Sequence, residues 1–125
     1  LGFMWNHSHM LVAVRPTRYT YELLKDADEF VVSIPHKGKM KEELRICGTK
    51  SGRDIDKINE CSFKMIEGSK VSVPHIGDCK ISYECKVDYK AQLDPDKLDP
   101  SINKGSYPQG DHHLILMGRI VEIHK

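Results

Sequence analysis

The chain has 125 residues, with 19 basic and 18 acidic side chains and a formal net charge of +1. That length suits a single domain with one core, and the balanced charge provides no basic surface for nucleic acid. The apolar runs are far shorter than the ~20 residues that cross a bilayer, and no charged n-region precedes an apolar stretch. A cytoplasmic protein without membrane or nucleic-acid partners is the expectation.

The chain opens inside apolar sequence, Leu1-Gly2-Phe3-Met4-Trp5, with no initiator methionine. A domain rarely begins inside a strand, so residues 1–125 are expected to form one domain that lacks an upstream segment. Met10 to Val14 reads as a short buried strand, ended by Pro16, which biases Arg15 to an extended conformation. Thr17 or Thr20 can cap a helix running to about Asp28. Phe30 to Ile34 is a β-branched strand closed by Pro35. Met40, Leu44 and Cys47 recur at helical spacing, which predicts an amphipathic helix over Lys39 to Ile46 with Gly48 as its stop.

Weaker strands are predicted around Phe63 to Ile66 and Val71 to Pro74. The clearest periodicity follows: Cys79, Ile81, Tyr83, Cys85, Val87, Tyr89 and Ala91 alternate with polar residues. That pattern predicts one long strand with a wet face. Leu93 to Asp111 carries several prolines and glycines without a sustained period and reads as a long loop, mobile or functional. His113 to Ile123 closes the chain as a strand. Short helices between long strands point to an antiparallel sheet that curls into a barrel. The Gly-x-Gly-x-x-Gly fingerprint of a parallel dinucleotide fold is absent.

Two polar segments interrupt this apolar frame. One is Arg15-Pro16-Thr17-Arg18-Tyr19-Thr20-Tyr21; the other is Cys47-Gly48-Thr49-Lys50-Ser51-Gly52-Arg53-Asp54-Ile55-Asp56-Lys57. Each combines hydroxyls and cationic side chains with a helix start, the groups that hold a phosphate. Arg and Thr at such turns also serve as ordinary caps and surface charges, and Asp54 could cap a short helix. Cys47, Cys61, Cys79 and Cys85 lack the tight C-x-x-C spacing of zinc ribbons or thioredoxin-like motifs. All four are expected to be reduced, with Cys47 the candidate for a reactive thiol. His7 with His9, and His112 with His113, invite a metal reading, but no acidic or thiol ligand sits beside them at zinc spacing. No metal is expected.

Three ordered stretches, "LVAVRPTRYTYELLKDADEFVVSIP", "CGTKSGRDIDK" and "GDHHLILMGRIVEI", resemble the flavin reductase-like family of FMN-binding split barrels, which includes flavoredoxins. The resemblance implies a mainly β fold with short helices, a split β-barrel that forms a homodimer and holds FMN near the subunit interface. It implies that Arg15, Arg18 and Thr20 form a first flavin-phosphate segment, and Thr49, Ser51, Gly52, Arg53 and Lys57 a second. Gly2, Phe3, Met4 and Trp5 resemble the end of a segment lying along the flavin ring. His113, five residues before Gly118, would contact the nicotinamide or the ring edge, with His112 as the competing choice. The implied activity is hydride transfer from NADH or NADPH to flavin, then electron passage to free flavin, a metal complex or a redox protein. The alternative is a flavoredoxin-like electron carrier that does not oxidise NAD(P)H directly.

Overall fold

The computed structural model describes residues 1–125. In chain order the elements are β1 (Gly2–Met4), β2 (His7–Val14), α1 (Tyr19–Leu24), β3 (Glu29–Ile34), α2 (Lys41–Thr49), α3 (Lys57–Glu60), β4 (Met65–Ile66), β5 (His75–Ile76), β6 (Ile81–Gln92), a 3₁₀ turn (Pro95–Lys97), α4 (Pro100–Ser106) and β7 (Leu114–His124). Five strands form one antiparallel sheet in the order β1-β2-β7-β6-β3, and β4 pairs with β5 apart from it. The long strands β6 and β7 lie at its centre. No helix is long and apolar enough to cross a membrane.

One face of the sheet carries the core, Val14, Phe30, Cys85 and Leu116, with Met10, Val12, Leu24, Val87 and Ile120 packed around it. Gly118 of β7 lies beneath the Phe30 ring; a Cβ there would come within 2.4 Å of Phe30 and 2.8 Å of Cys85. The absence of a side chain at Gly118 is therefore what lets β3 and β7 share this layer. Only ten of the 125 residues are buried, so much apolar surface stays open to solvent or to another molecule.

Several local expectations shift. Arg18, not a threonine, occupies the N-cap of α1 and makes no side-chain cap, and the helix stops at Leu24. Gly48 sits inside α2, which continues to Thr49. Asp56 caps α3, its carboxylate accepting from the amides of Ile58 and Asn59; Asp54 does not. Val71 to Pro74 is not a strand, and β5 begins just after it. The Leu93 to Asp111 loop contains two helical turns. Asp94 and Asp99 cap them, each followed by a proline at the first helical position, the residue pair such starts favour.

The expected wet face of β6 is broken by two register shifts, between Glu84 and Cys85 and between Val87 and Tyr89. A bulge exchanges the faces beyond it. Cys85 and Val87 stay on the core face opposite Ile120 and Gly118, while Tyr89 and Ala91 lie opposite Met117 and Ile115 on the reverse face. There they join Leu11 and Ala13 of β2, which pair with the same two β7 residues. Leu11 and Tyr89 are more than half exposed. Glu84, on the nominally wet parity, is completely buried because residues 69–71 fold over it.

Candidate functional site: a cationic cleft beside His113

The chain leaves β2 at Val14, turns with the Arg18 amide donating to the Arg15 carbonyl (3.0 Å), and starts α1 at Tyr19. The second polar segment leaves α2 at Thr49 and turns at Ser51, whose carbonyl takes the amides of Asp54 (3.0 Å) and Ile55 (3.1 Å) before α3 begins. These two turns touch. A Cβ at Gly52 would fall 2.6 Å from the Tyr19 ring, so glycine is what allows the approach. The Arg53 guanidinium lies over the same ring, 5.5 Å from its centroid. Arg53 also donates to the Thr17 carbonyl at 3.2 Å and stands 3.8 Å from Glu22.

Between the turns lies a cleft of about 590 Å³, within the size range of small-molecule sites. From the first segment Arg15, Arg18 and Thr20 line it. From the second come Thr49, Ser51, Gly52, Arg53 and Lys57, and His113 closes one side. A smaller cavity of about 480 Å³ lies against the same Arg53 and Lys57, walled by Leu23, Ile55 and Ile58. The remaining candidates, Gly2, Phe3, Met4 and Trp5, are not brought there. They form β1 and a two-residue hairpin turn in which Trp5 and Asn6 both have positive φ, 51° and 62°. Such a turn suits the twist of paired strands, and the Trp5 ring stands edge-on to His9, 5.4 Å between centroids.

The donors in the cleft divide by how they are already occupied. Lys57 Nζ donates to the Cys47 carbonyl at 2.9 Å, and Thr49 Oγ1 donates back to the Arg45 carbonyl at 2.7 Å. The Ser51 hydroxyl accepts from the Arg53 amide at 3.1 Å. Arg18 and Lys50 make no ion pair. The first segment is braced from behind by Asp111, whose carboxylate accepts from the Thr17 amide (3.1 Å) and hydroxyl (2.7 Å). Those Thr17 bonds, with the charges of Arg15 and Arg18, hold the Asp111 carboxyl below its usual range.

Sequence reasoning reads Leu93 to Asp111 as a mobile or functional loop without identifying the contacts that residues 103–111 make to the cleft. Arg15 donates to the Ser106 carbonyl at 2.9 Å and lies 4.8 Å from the centre of the Tyr107 ring. The Tyr107 hydroxyl meets His113 Nδ1 at 2.5 Å. Burial and then the Arg15 charge lower the His113 pKa from its usual value, against the pull of Asp111, which favours the neutral ring at pH 7. In a neutral imidazole one nitrogen donates and the other accepts, so the Tyr107 contact selects the tautomer that the cleft meets. His112 is separated from this role: its Nε2 bonds Asn103 Oδ1 at 2.7 Å and its ring stacks on Tyr107. The Asp99-Pro100 helix start was the available signal for an ordered wall here. His9 is bound to Asp88 at 2.8 Å, and no three His, Cys, Asp or Glu side chains are grouped to hold a metal.

The family model for the flavin reductase like domain matches residues 5–125. The chain belongs to the flavin reductase-like family. Among curated proteins it is similar to an uncharacterized protein of Archaeoglobus fulgidus, 38% identical over 76 residues, which are 61% of this chain and 42% of that relative. Among solved structures it is similar to an FMN-binding protein from Thermus thermophilus with bound 1-cyclohex-2-enone, with TM-score 0.74 and 23% identity, covering 100% of this chain and 58% of that one. A flavoredoxin from Methanosarcina acetivorans has the same TM-score, 0.74, with 23% identity over 98% of this chain and 55% of its own. The chain thus spans about half the length of these proteins. Its antiparallel sheet with short helices is the open split barrel of this family.

Proposed function

We propose that this chain is the flavin-binding part of an FMN-dependent oxidoreductase, which passes hydride from NADH or NADPH to the flavin and electrons onward to an acceptor. One observation carries the reading: two donor-rich turns from distant parts of the chain meet in one cleft beside His113. FMN has a dianionic phosphate, an apolar ring system and polar ring edges, and the cleft offers groups suited to its charged end. Arg18 and Lys50 make no close ion pair, and Ser51, Arg53 and Lys57 lie beside them. Guanidinium and ammonium groups of this kind form charge-assisted bonds to phosphate. Gly52 lets the second turn pack against Tyr19, which brings the two donor segments together.

A bound flavin supplies the hydride-accepting ring. The residues of the chain hold its phosphate, fix its position and keep water out. His113, at the cleft wall with its Nδ1 bonded to Tyr107, is assigned to orient the nicotinamide or the ring edge. No catalytic acid or base is required of it. The acceptor is free flavin, a metal complex or a redox protein.

The assembly is proposed to be a homodimer. Leu11 and Ala13 of β2 lie across from Met117 and Ile115 of β7, and these lie across from Tyr89 and Ala91 of β6. On this apolar face Leu11, Ala13 and Tyr89 are exposed. Light scattering on the purified protein tests it, and a monomer at micromolar concentration would remove this part of the reading.

The deciding experiment is a visible spectrum after incubation with FMN and desalting. Retained flavin bands support the cleft assignment, and a colourless protein overturns it. Adding NADH or NADPH without oxygen then separates a reductase, which bleaches, from an electron carrier, which does not.

A further inference from the structure

Cys47 and Cys61 bracket the second donor segment in sequence, and the Cys47 side chain is a neighbour of Cys61. Cys47 sits near the end of α2 and opens onto the cleft. Cys61 ends α3, its amide donating to the Lys57 carbonyl at 3.0 Å. Lys57 joins the two places, because its Nζ donates to the Cys47 carbonyl at 2.9 Å. Burial, and then the Cys47 thiol beside it, push the Cys61 thiol above its usual pKa. The other two cysteines stand apart. Cys79 Sγ lies 3.9 Å from Met40 Sδ, and Cys85 is sealed in the core, with its pKa pushed up by burial to about 11.

We propose that Cys47 and Cys61 form a peroxide-responsive dithiol that closes into a disulfide around the donor segment. Cys47 reacts first, because it faces the cleft while Cys61 is held as the protonated thiol. The Cys47 thiolate attacks one oxygen of hydrogen peroxide. The O–O bond breaks, and Cys47 becomes a sulfenic acid as one water leaves. The Cys61 sulfur then attacks the Cys47 sulfur, the S–O bond breaks, and a second water leaves. In total the two thiols give up two electrons and two protons, and the peroxide is reduced to two waters.

The ring so closed contains Thr49, Ser51, Gly52, Arg53 and Lys57. Oxidation therefore fixes both ends of the segment assigned to the ligand phosphate, and a more ordered loop loses less freedom on binding. This consequence, unlike the bridge itself, rests on the proposed FMN site.

The test treats the reduced chain with a few equivalents of hydrogen peroxide, blocks remaining thiols with iodoacetamide and maps the peptides by mass. The expected product joins the Cys47 and Cys61 peptides with the loss of two hydrogens, while Cys79 and Cys85 are alkylated. In Cys61→Ser, or Cys61→Ala should the first fold poorly, Cys47 should be trapped by dimedone as a sulfenic acid. Alkylation of all four thiols, a bridge between another pair, or irreversible oxidation of Cys47 without a bridge would overturn the proposal. Titration with FMN should then give a Kd about three-fold lower for the bridged form than for the reduced form. Equal Kd values would overturn the link to the donor segment. Failure of both forms to bind FMN would overturn the proposed function, and the peptide map would still decide the bridge.

Discussion

Two regions of the molecule gather hydrogen-bond donors around a place for negative charge, and they differ in who supplies that charge. At Glu84 the chain supplies it. The carboxylate is fully buried and accepts from the amides of Ser69 (2.9 Å), Lys70 (2.8 Å) and Val71 (2.9 Å), with the His124 ring as a further partner. His124 stacks in turn on His75. In the cleft, Arg18 and Lys50 make no ion pair, and Lys57 donates to a neutral carbonyl, so its charge is unpaired. A fold that can close a donor nest with its own acid, and does so 0% exposed at Glu84, leaves the other set open. Open donors beside a cavity are suited to an anion from outside.

Replacing the internal anion should have the largest effect. Burial alone would raise the Glu84 carboxyl, but the amides of residues 69–71 and His124 outweigh it and hold its pKa at about 2. Glu84→Gln sets an amide NH₂ against those donors, at an expected cost of ~3 kcal/mol, read by urea denaturation at pH 7. A loss below ~1 kcal/mol would show that the nest is satisfied without its charge. The pH dependence follows from the same bonds. A folded pKa below the unfolded one means that the unfolded chain binds the proton first as pH falls. The Glu84 contribution is complete above the ordinary value of 4.5 and lost as pH drops towards about 2. Wild type should lose stability across that window, and Glu84→Gln should lose less.

The open set should respond in affinity instead. Arg53→Ala and Lys57→Ala should each weaken FMN binding at least about ten-fold, or ~1.4 kcal/mol, while the melting temperature falls by no more than about 3 °C. Both side chains reach the cleft from a turn that carries little of the core. Unchanged FMN retention in both variants would move the phosphate elsewhere. A collapse of stability would instead make the cleft a structural ion network like that of Glu84.

The contrast between these regions also marks what could be read from the residues alone. The donor segments were legible because their hydroxyls and cations are consecutive in sequence, and a turn carries such residues together wherever it goes. The long strands were legible from alternation. Glu84 was not, since its burial depends on residues 69–71 folding across the sheet, and parity along β6 says nothing about a cover. Nor was the exposed face holding Tyr89 and Ala91, because the bulge before Tyr89 exchanges the faces without interrupting the pattern. Gly2 to Trp5 are assigned to the flavin ring by resemblance alone, and the structure places them in a hairpin at a sheet edge, away from the cleft.

His113 tests the cleft at its other end. His113→Gln should keep FMN bound within about two-fold and lower NAD(P)H oxidation by about ten-fold or more. Equal losses of both would place His113 in the flavin pocket. Burial and Arg15 depress its pKa, so the ring takes a proton only below the ordinary value of 6.5. The rate of wild type should then be flat above pH 6.5 as far as this group is concerned, and change only on the acid side.

The smallest effect is expected at Tyr107, which acts on the cleft only through its neighbours. Its hydroxyl meets His113 Nδ1, while its ring supports Arg15 and His112. Tyr107→Phe keeps both ring contacts and removes only the hydroxyl. Arg15 should therefore hold its place, and FMN affinity should stay within about two-fold. The His113 ring, however, loses the partner that selects its tautomer, so kcat for NAD(P)H oxidation should fall by about two- to five-fold with little change in KM. Tyr107→Leu removes the aromatic support as well and should lower FMN affinity besides. If Tyr107→Phe behaves as wild type while Tyr107→Leu fails, Tyr107 supports the first donor turn and does not position His113. In that case the tautomer of His113 is set by the ligand that enters the cleft, and the donor turn alone is what residues 103–111 are built to hold.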